Sequence, residues 1–248
     1  TDGIGKGVAL ELARLGATVL LHGRDSDRLA KTLAEIKAKT HNHTLETYVA
    51  DFSSLEAVHG LATDIIDRHE RLDVLINNAG IGRGPRSQQS REISLDQFEL
   101  RFQVNYLAPF LLTHLLLPLL QDHTSARIVN VASASQEKIE FDDVMLEQAY
   151  DGTRAYSQSK LAMVMATFEL AKRLEPNNIT VNALHPGSLL NTKIVREAWG
   201  QAHGPVETGI ESEIYLATSP KLNNVSGTYF DQQRPVQAHP QAYDELAC

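Results

Sequence analysis

Cysteine is almost absent from this chain: the one thiol, Cys248, closes a sequence of 248 residues and has no second cysteine with which to form an internal disulfide. A disulfide-stapled scaffold and any thiolate metal centre are thereby excluded, and the composition suits a reducing compartment. His41 and His43 stand close together, but neither a cysteine nor a carboxylate lies at ligand spacing, so they read as a surface loop and no metal site is expected. Basic blocks are missing too. The balance of 23 Lys+Arg against 31 Asp+Glu, a net charge of −8, argues against general affinity for nucleic acid or anionic membrane and points to a small-molecule partner. Long apolar runs are lacking: the most apolar stretch, residues 107–120, carries Pro109, His114 and Pro118, is too short to cross a bilayer, and reads as a buried helix. With no secretory signal at the start, a soluble cytoplasmic protein is expected. Neither a repeat nor a linker divides residues 1–248, so the expectation is one domain.

What is present is an alternation of two periods. A helical pattern over residues 8–15 stops at Gly16. Strand-like runs follow at 18–22, 45–49, 74–77, 126–132, 179–184 and 227–230. Between them lie helical runs from about 26 to 39, 54 to 69, 95 to 121, 156 to 174 and 206 to 218. This order predicts an α/β fold, a doubly wound parallel sheet with right-handed crossovers and helices on both faces. Residues 81–94, 137–152 (an acidic insert) and 188–209 read as loops, and the tail after Asp231 as frayed.

Chemistry gathers at the predicted strand ends. Gly3 and Gly5 open the first helix, where bare backbone N–H groups and the helix dipole favour a phosphate, although two glycines alone more often mark a turn. The slot after the 18–22 strand, where an acid binds ribose hydroxyls and an arginine accommodates a 2′-phosphate, holds Gly23 and Arg24; a solvated helix-entry arginine is the plainer alternative. Asn78, Ala79 and Gly80 form a small turn at a strand's carboxyl end, where open α/β sheets bind ligands. Asn105 interrupts an apolar helix, although asparagine is a mediocre helix former. Ser133 lies at the mouth of the 126–132 strand. Tyr156 and Lys160, four apart on a helix, share a face, and an ammonium beside a phenol favours the phenolate and lowers its pKa toward the range of an acid/base catalyst.

Taken in order, Thr1-Asp2-Gly3-Ile4-Gly5, Asn77-Asn78-Ala79-Gly80, Asn105, Ser133, Tyr156-Ser157-Gln158-Ser159-Lys160 and His185-Pro186-Gly187 resemble the short-chain dehydrogenase/reductase family over essentially the whole chain. The long interval from Ser133 to Tyr156, with Phe141-Asp142-Asp143 inside it, is similar to the branch of retinol dehydrogenases and related carbonyl reductases. The resemblance implies a single Rossmann-type domain in which Tyr156 is the general acid/base. Lys160 would lower its pKa and hold the nicotinamide ribose, Ser133 would hydrogen-bond the reacting oxygen, and Asn105 would anchor a proton-relay water. Gly3, Ile4 and Gly5 would face the pyrophosphate, Asp51 and Phe52 the adenine, and Asn78, Ala79 and Gly80 the adenosine side, while Pro186 and Gly187 would back the nicotinamide. Three departures stand out. The family's first strand and first glycine do not precede Thr1, so the domain is expected to be incomplete at its start. Thr192 lies five residues after Gly187 where the family places a threonine at four, and Ala132 replaces a serine.

The expected function is hydride transfer between NADP(H), preferred through Arg24, and a small to medium carbonyl or alcohol. Leu189, Leu190, Ile194, Val195 and Trp199 suit either a lipophilic substrate or the packing of the loop that carries them. The alternative is a catalytically silent NADP(H)-binding sensor or interaction protein. Family members often dimerise through helices like those at 98–120 and 156–174, so the resemblance also admits a homo-oligomer.

Overall fold

The computed structural model describes residues 1–85, 90–121 and 125–244. Strands β1 (Val19–Gly23) and β2 (Leu45–Val49) pair in parallel. Strands β3 (Val74–Asn77), β4 (Ala126–Val131), β5 (Ile179–His185) and β6 (Thr228–Asp231) form a second parallel set in that order, with β7 (Arg234–Pro235) antiparallel at its edge. All seven residues of β5 are buried, as expected of a parallel strand covered on both faces. One face carries α3 (Leu55–Ile66), α5 (Ala108–Gln121) and α6 (Gly152–Leu174); the other carries α1 (Gly3–Arg14), α2 (Ser26–Thr40) and α8 (Val206–Thr218). The result is the doubly wound, Rossmann-type α/β architecture. Among the described residues no strand lies between β1 and β3, so the sheet is in two pieces. Leu20 of β1 and Leu75 of β3 nevertheless pack against one cluster with α3 and α5.

Local signals account for the helix boundaries. Asp25, Ser54 and Asp151 cap α2, α3 and α6 by accepting from Arg28 N, Ala57 N and Arg154 N. The helix expected from residue 95 begins instead at Leu100, because Ser94 to Gln97 form a turn in which Gln97 has φ 69°, and the Glu99 side chain caps the first turn at Phe102 N. It runs through α4 (Leu100–Phe102) and a π-helical turn (Gln103–Leu107) into α5. The continuous helix Leu100–Gln121 is 22 residues long, so the reading of its apolar run as too short for a bilayer is corrected: by length and composition it could span one. Half of that apolar window is buried inside the fold, and α5 packs on α3.

Two predicted loops carry more order than expected. The stretch 188–209 contains α7 (Lys193–Trp199), capped by the Thr192 hydroxyl at Val195 N and closed by Gly200 at φ 78°. The acidic insert packs down through buried Ile139 and Leu146 and is tied to α6 where Gln158 donates to Val144 O. The tail does not fray before Asp244. Gln241 accepts from Ile139 N and donates to Ile139 O, His239 N donates to Gln136 Oε1, and Ala242 is buried. Polar composition suggested solvent, but these side chains satisfy backbone groups of the insert. Of the predicted 81–94 loop, residues 86–89 lie outside the described residues, as does Cys248.

Candidate active site

The carboxyl ends of β3, β4 and β5 bring the predicted residues together. Asn105 sits in the π turn, whose extra residue rotates the helix locally; such turns recur at functional sites. Its carboxamide is fully engaged: Oδ1 accepts from Ile81 N at 2.8 Å, and Nδ2 donates to Ile81 O and Ser159 Oγ, each at 3.0 Å. Asn105 thus ties the Asn78–Gly80 turn to the helix of Tyr156. A Cβ built on Gly80 would lie 3.0 Å from Asn105 Oδ1 and 3.5 Å from Lys160 Nζ, so the bare glycine backbone is what lets these groups close up.

Ser133 follows β4. Its carbonyl is held by Tyr229 OH at 2.9 Å and by Gln136 Nε2 at 2.9 Å, and its Oγ accepts from Ser135 N at 3.1 Å. With its oxygen engaged by a backbone donor, the hydroxyl proton is available to donate. Tyr156 lies alongside, half-buried. Burial pushes its phenol above the ordinary tyrosine range, and a hydrogen bond with Ser133 pulls part of the way back. Lys160 Nζ stands 5.8 Å from the Tyr156 ring centroid and donates to Val131 O at 2.8 Å. The expected lowering of the phenol by Lys160 is therefore corrected for this structure: removal from water dominates. The same burial draws the Lys160 ammonium down to about 8, opposed by the charge of Glu213, itself pushed up to about 8.

The predicted phosphate end is built by α1. Gly3 takes φ +53°, and Asp2 Oδ1 accepts from Gly3 N at 2.7 Å, so a carboxylate oxygen occupies the donor that an anion would use. At Gly5 a Cβ would lie 2.3 Å from Asn78 Nδ2, and at Gly209 of α8 one would lie 2.7 Å from Ile4 Cδ1. Thr192 is 3.5 Å from the Cβ position of Gly3, so the extra residue of spacing does not keep it from the glycine turn; α7 carries it there. Arg24 is exposed beyond the end of β1. Asp51 accepts from Ser53 N, while Phe52 is buried and stacks on His22 with ring centroids 4.4 Å apart. Pro186 and half-buried Gly187 (φ 134°) leave β5, with Leu190 filling the space beside Gly187.

Sequence reasoning did not find Gln136 and Tyr229, which orient Ser133, or Arg101, which donates to Gly82 O and Arg83 O and fixes the loop after Gly80. Nothing local marked the first two. Glu213 had a signal, a carboxylate in the buried stripe of an amphipathic helix. Of the five apolar residues singled out in 188–209, buried Leu190 serves the loop's own packing against Gly187, Gly204 and Gly209, and Ile194 packs on Gly82.

A Rossmann-type sheet with a Tyr-Ser-Lys group at the carboxyl ends of its strands defines the class of protein. A family model described as short chain dehydrogenase matches residues 1–202. The chain belongs to the short-chain dehydrogenase family and is an oxidoreductase of retinol-dehydrogenase-like sequence. It is 38% identical over 261 residues to human Retinol dehydrogenase 13, covering 98% of this chain and 77% of that one. Human Retinol dehydrogenase 14 is 37% identical over 98% of this chain and 79% of its own length. A short-chain dehydrogenase structure from Escherichia coli CFT073, complexed with NADPH, superposes with a TM-score of 0.75 at 27% identity, covering 94% of this chain and 92% of that one.

Proposed function

We propose that this protein interconverts a carbonyl and an alcohol on a small to medium, lipophilic substrate, with NADP(H) as the preferred cofactor. The observation that carries the reading is the half-buried Tyr156 phenol, hydrogen-bonded with Ser133 beside the buried Lys160 ammonium. The residues present suit the cofactor. Gly3 and Gly5 put bare backbone at α1's first turn, where a pyrophosphate would take the place of the Asp2 carboxylate on Gly3 N; Asn78, Ala79 and Gly80 form the turn beside it, and exposed Arg24, with no acid at Gly23, suits a 2′-phosphate. Phe52 and Asp51 would border the adenine, and Pro186 and Gly187 the nicotinamide.

When bound, the nicotinamide supplies or accepts the hydride. In the reducing direction negative charge grows on the substrate oxygen. Ser133 donates to that oxygen through the proton its own hydrogen bonds leave available, and Tyr156 transfers its phenolic proton there. A phenol held above its ordinary range is a weaker acid, so it stays protonated until the developing oxygen anion is more basic still. Lys160 places a positive charge behind it, and Asn105 holds the floor of the site through Ile81 and Ser159.

The reading is tested by NADPH absorbance across aldehydes and ketones of increasing chain length, with binding of NADPH and NADH measured in parallel. Arg24→Asp should reverse a preference of about ten- to a hundredfold for NADPH, the size of one charge-assisted contact. Tighter NADH binding by the wild type would sink the cofactor assignment.

A further inference from the structure

Glu213 is a buried charge for which the chemistry above has no use. It lies on the inward face of α8 with Gly209, Ser212, Leu216 and Ala217. One turn before it, Gly209 abuts Ile4 of α1; one turn after it, Leu216 packs in a cluster with Val131 and Leu184. Glu213 therefore stands between the glycine turn and the end of β4, where Val131 O accepts the hydrogen bond of Lys160 Nζ. The residue is 0% exposed, and neither carboxyl oxygen has a hydrogen-bond partner among the described residues.

The charges around it leave Lys160 as the one that acts on it. On α1, Lys6 is turned to Glu35, and Glu11 pairs with Arg14. From β4, Arg127 reaches the far end of α8 at Leu216 O and Ser219 O. At the end of β5, His185 bonds Ser188 and faces Asp231. Glu207 and Glu211 of α8 itself are exposed, and Tyr156 lies by Lys160, whose Nζ is 5.8 Å from its ring centroid.

We propose that Glu213 is a positioning residue for Lys160, a buried counter-charge that ionises as pH rises and so keeps the ammonium protonated over a wider alkaline range. The proposal rests on the oxidoreductase reading for its purpose, but not for its physics. Burial drives an ammonium and a carboxyl alike toward their neutral forms, and each charge stabilises the other, so the two titrate as a pair. An amide in place of the carboxyl reproduces the low-pH state and cannot follow the pair upward.

The test measures NADPH affinity, by cofactor fluorescence, and kcat/KM against pH in the full chain. Glu213→Gln should move the alkaline limb of both to lower pH by about half a unit to one unit, the scale of a modest charge interaction, and Glu213→Asp should move it back. A merely structural glutamate would leave the limb in place, so coincident limbs for wild type and Glu213→Gln overturn the proposal. If Glu213→Gln does not fold, Lys160→Met reads the pair from its other side. Without the ammonium, the carboxyl stays protonated to higher pH, so the fall of melting temperature with pH should extend above about pH 8, and an unchanged profile overturns the proposal. A shifted binding limb with no turnover in any variant, wild type included, supports the pair and counts against the oxidoreductase reading. Turnover with unshifted limbs does the reverse.

Discussion

Tyr156 has its charged form opposed by burial more strongly than the Ser133 hydrogen bond favours it, so on the proposed reading the phenol keeps its proton until a substrate oxygen takes it. Replacing it with phenylalanine preserves the packing but removes the proton. Turnover of Tyr156→Phe should fall by roughly the hundred- to ten-thousandfold that acid/base catalysis contributes, with NADPH affinity retained. Near wild-type turnover in single-turnover measurements would move the proton donor elsewhere. Ser133 was legible from its place at a strand mouth, but its orientation was not. Tyr229, 96 residues further along the chain, and Gln136 from the next turn hold its carbonyl, and no spacing rule relates such positions.

At the scale of elements, α7 converts a predicted loop into a cover. The Arg83 guanidinium lies 4.2 Å over the Trp199 ring and donates to Ala198 O at 2.7 Å, while Ile194 packs where Gly82 leaves room. These contacts join the cover to the loop after β3 across the front of the site. A cation–π contact at a part-exposed position contributes about 0.5 to 1 kcal/mol. Trp199→Ala should therefore raise KM about two- to fivefold, with kcat less affected, and speed proteolytic cleavage within 188–204. Unchanged KM and cleavage would show that α7 is not held by this contact. The sequence displayed the ingredients, with Thr192 to cap and Gly200 to stop, yet a seven-residue helix flanked by irregular chain has too little periodicity to stand out.

At the scale of the whole molecule, β1 and β3 each present an edge without a strand partner among the described residues, on the sides away from β2 and β4. Both pieces pack against the same helical layer, and Thr1 lies against Gly23 at the end of β1. A further parallel strand between them, supplied upstream of Thr1, would pair both edges. Unpaired buried backbone groups cost on the order of 1 to 3 kcal/mol each, so a chain extended upstream by a strand should melt higher and bind NADPH more tightly than residues 1–248 alone. Equal melting temperatures and affinities would show that the two edges need no partner.

The sequence determined the order of the six parallel strands and of the helices between them other than α7, because periodicity, caps and glycines act over a few residues, and its ordered motifs marked which residues meet at the strand ends. Strand β2 and helix α8 fall at the predicted residues, and Tyr156, Lys160, Ser133, Asn105 and Gly80 are brought together as their order implied. Tertiary structure decided the electrostatics. Whether Lys160 lowers the phenol or burial raises it depends on how much water is removed and on where Nζ finds an acceptor, here Val131 O. Bringing Glu213 within reach of the Lys160 charge, and the tail's Gln241 onto the insert, likewise required chain segments far apart in sequence to meet, and pairings of that range are written in the packing rather than in any local pattern.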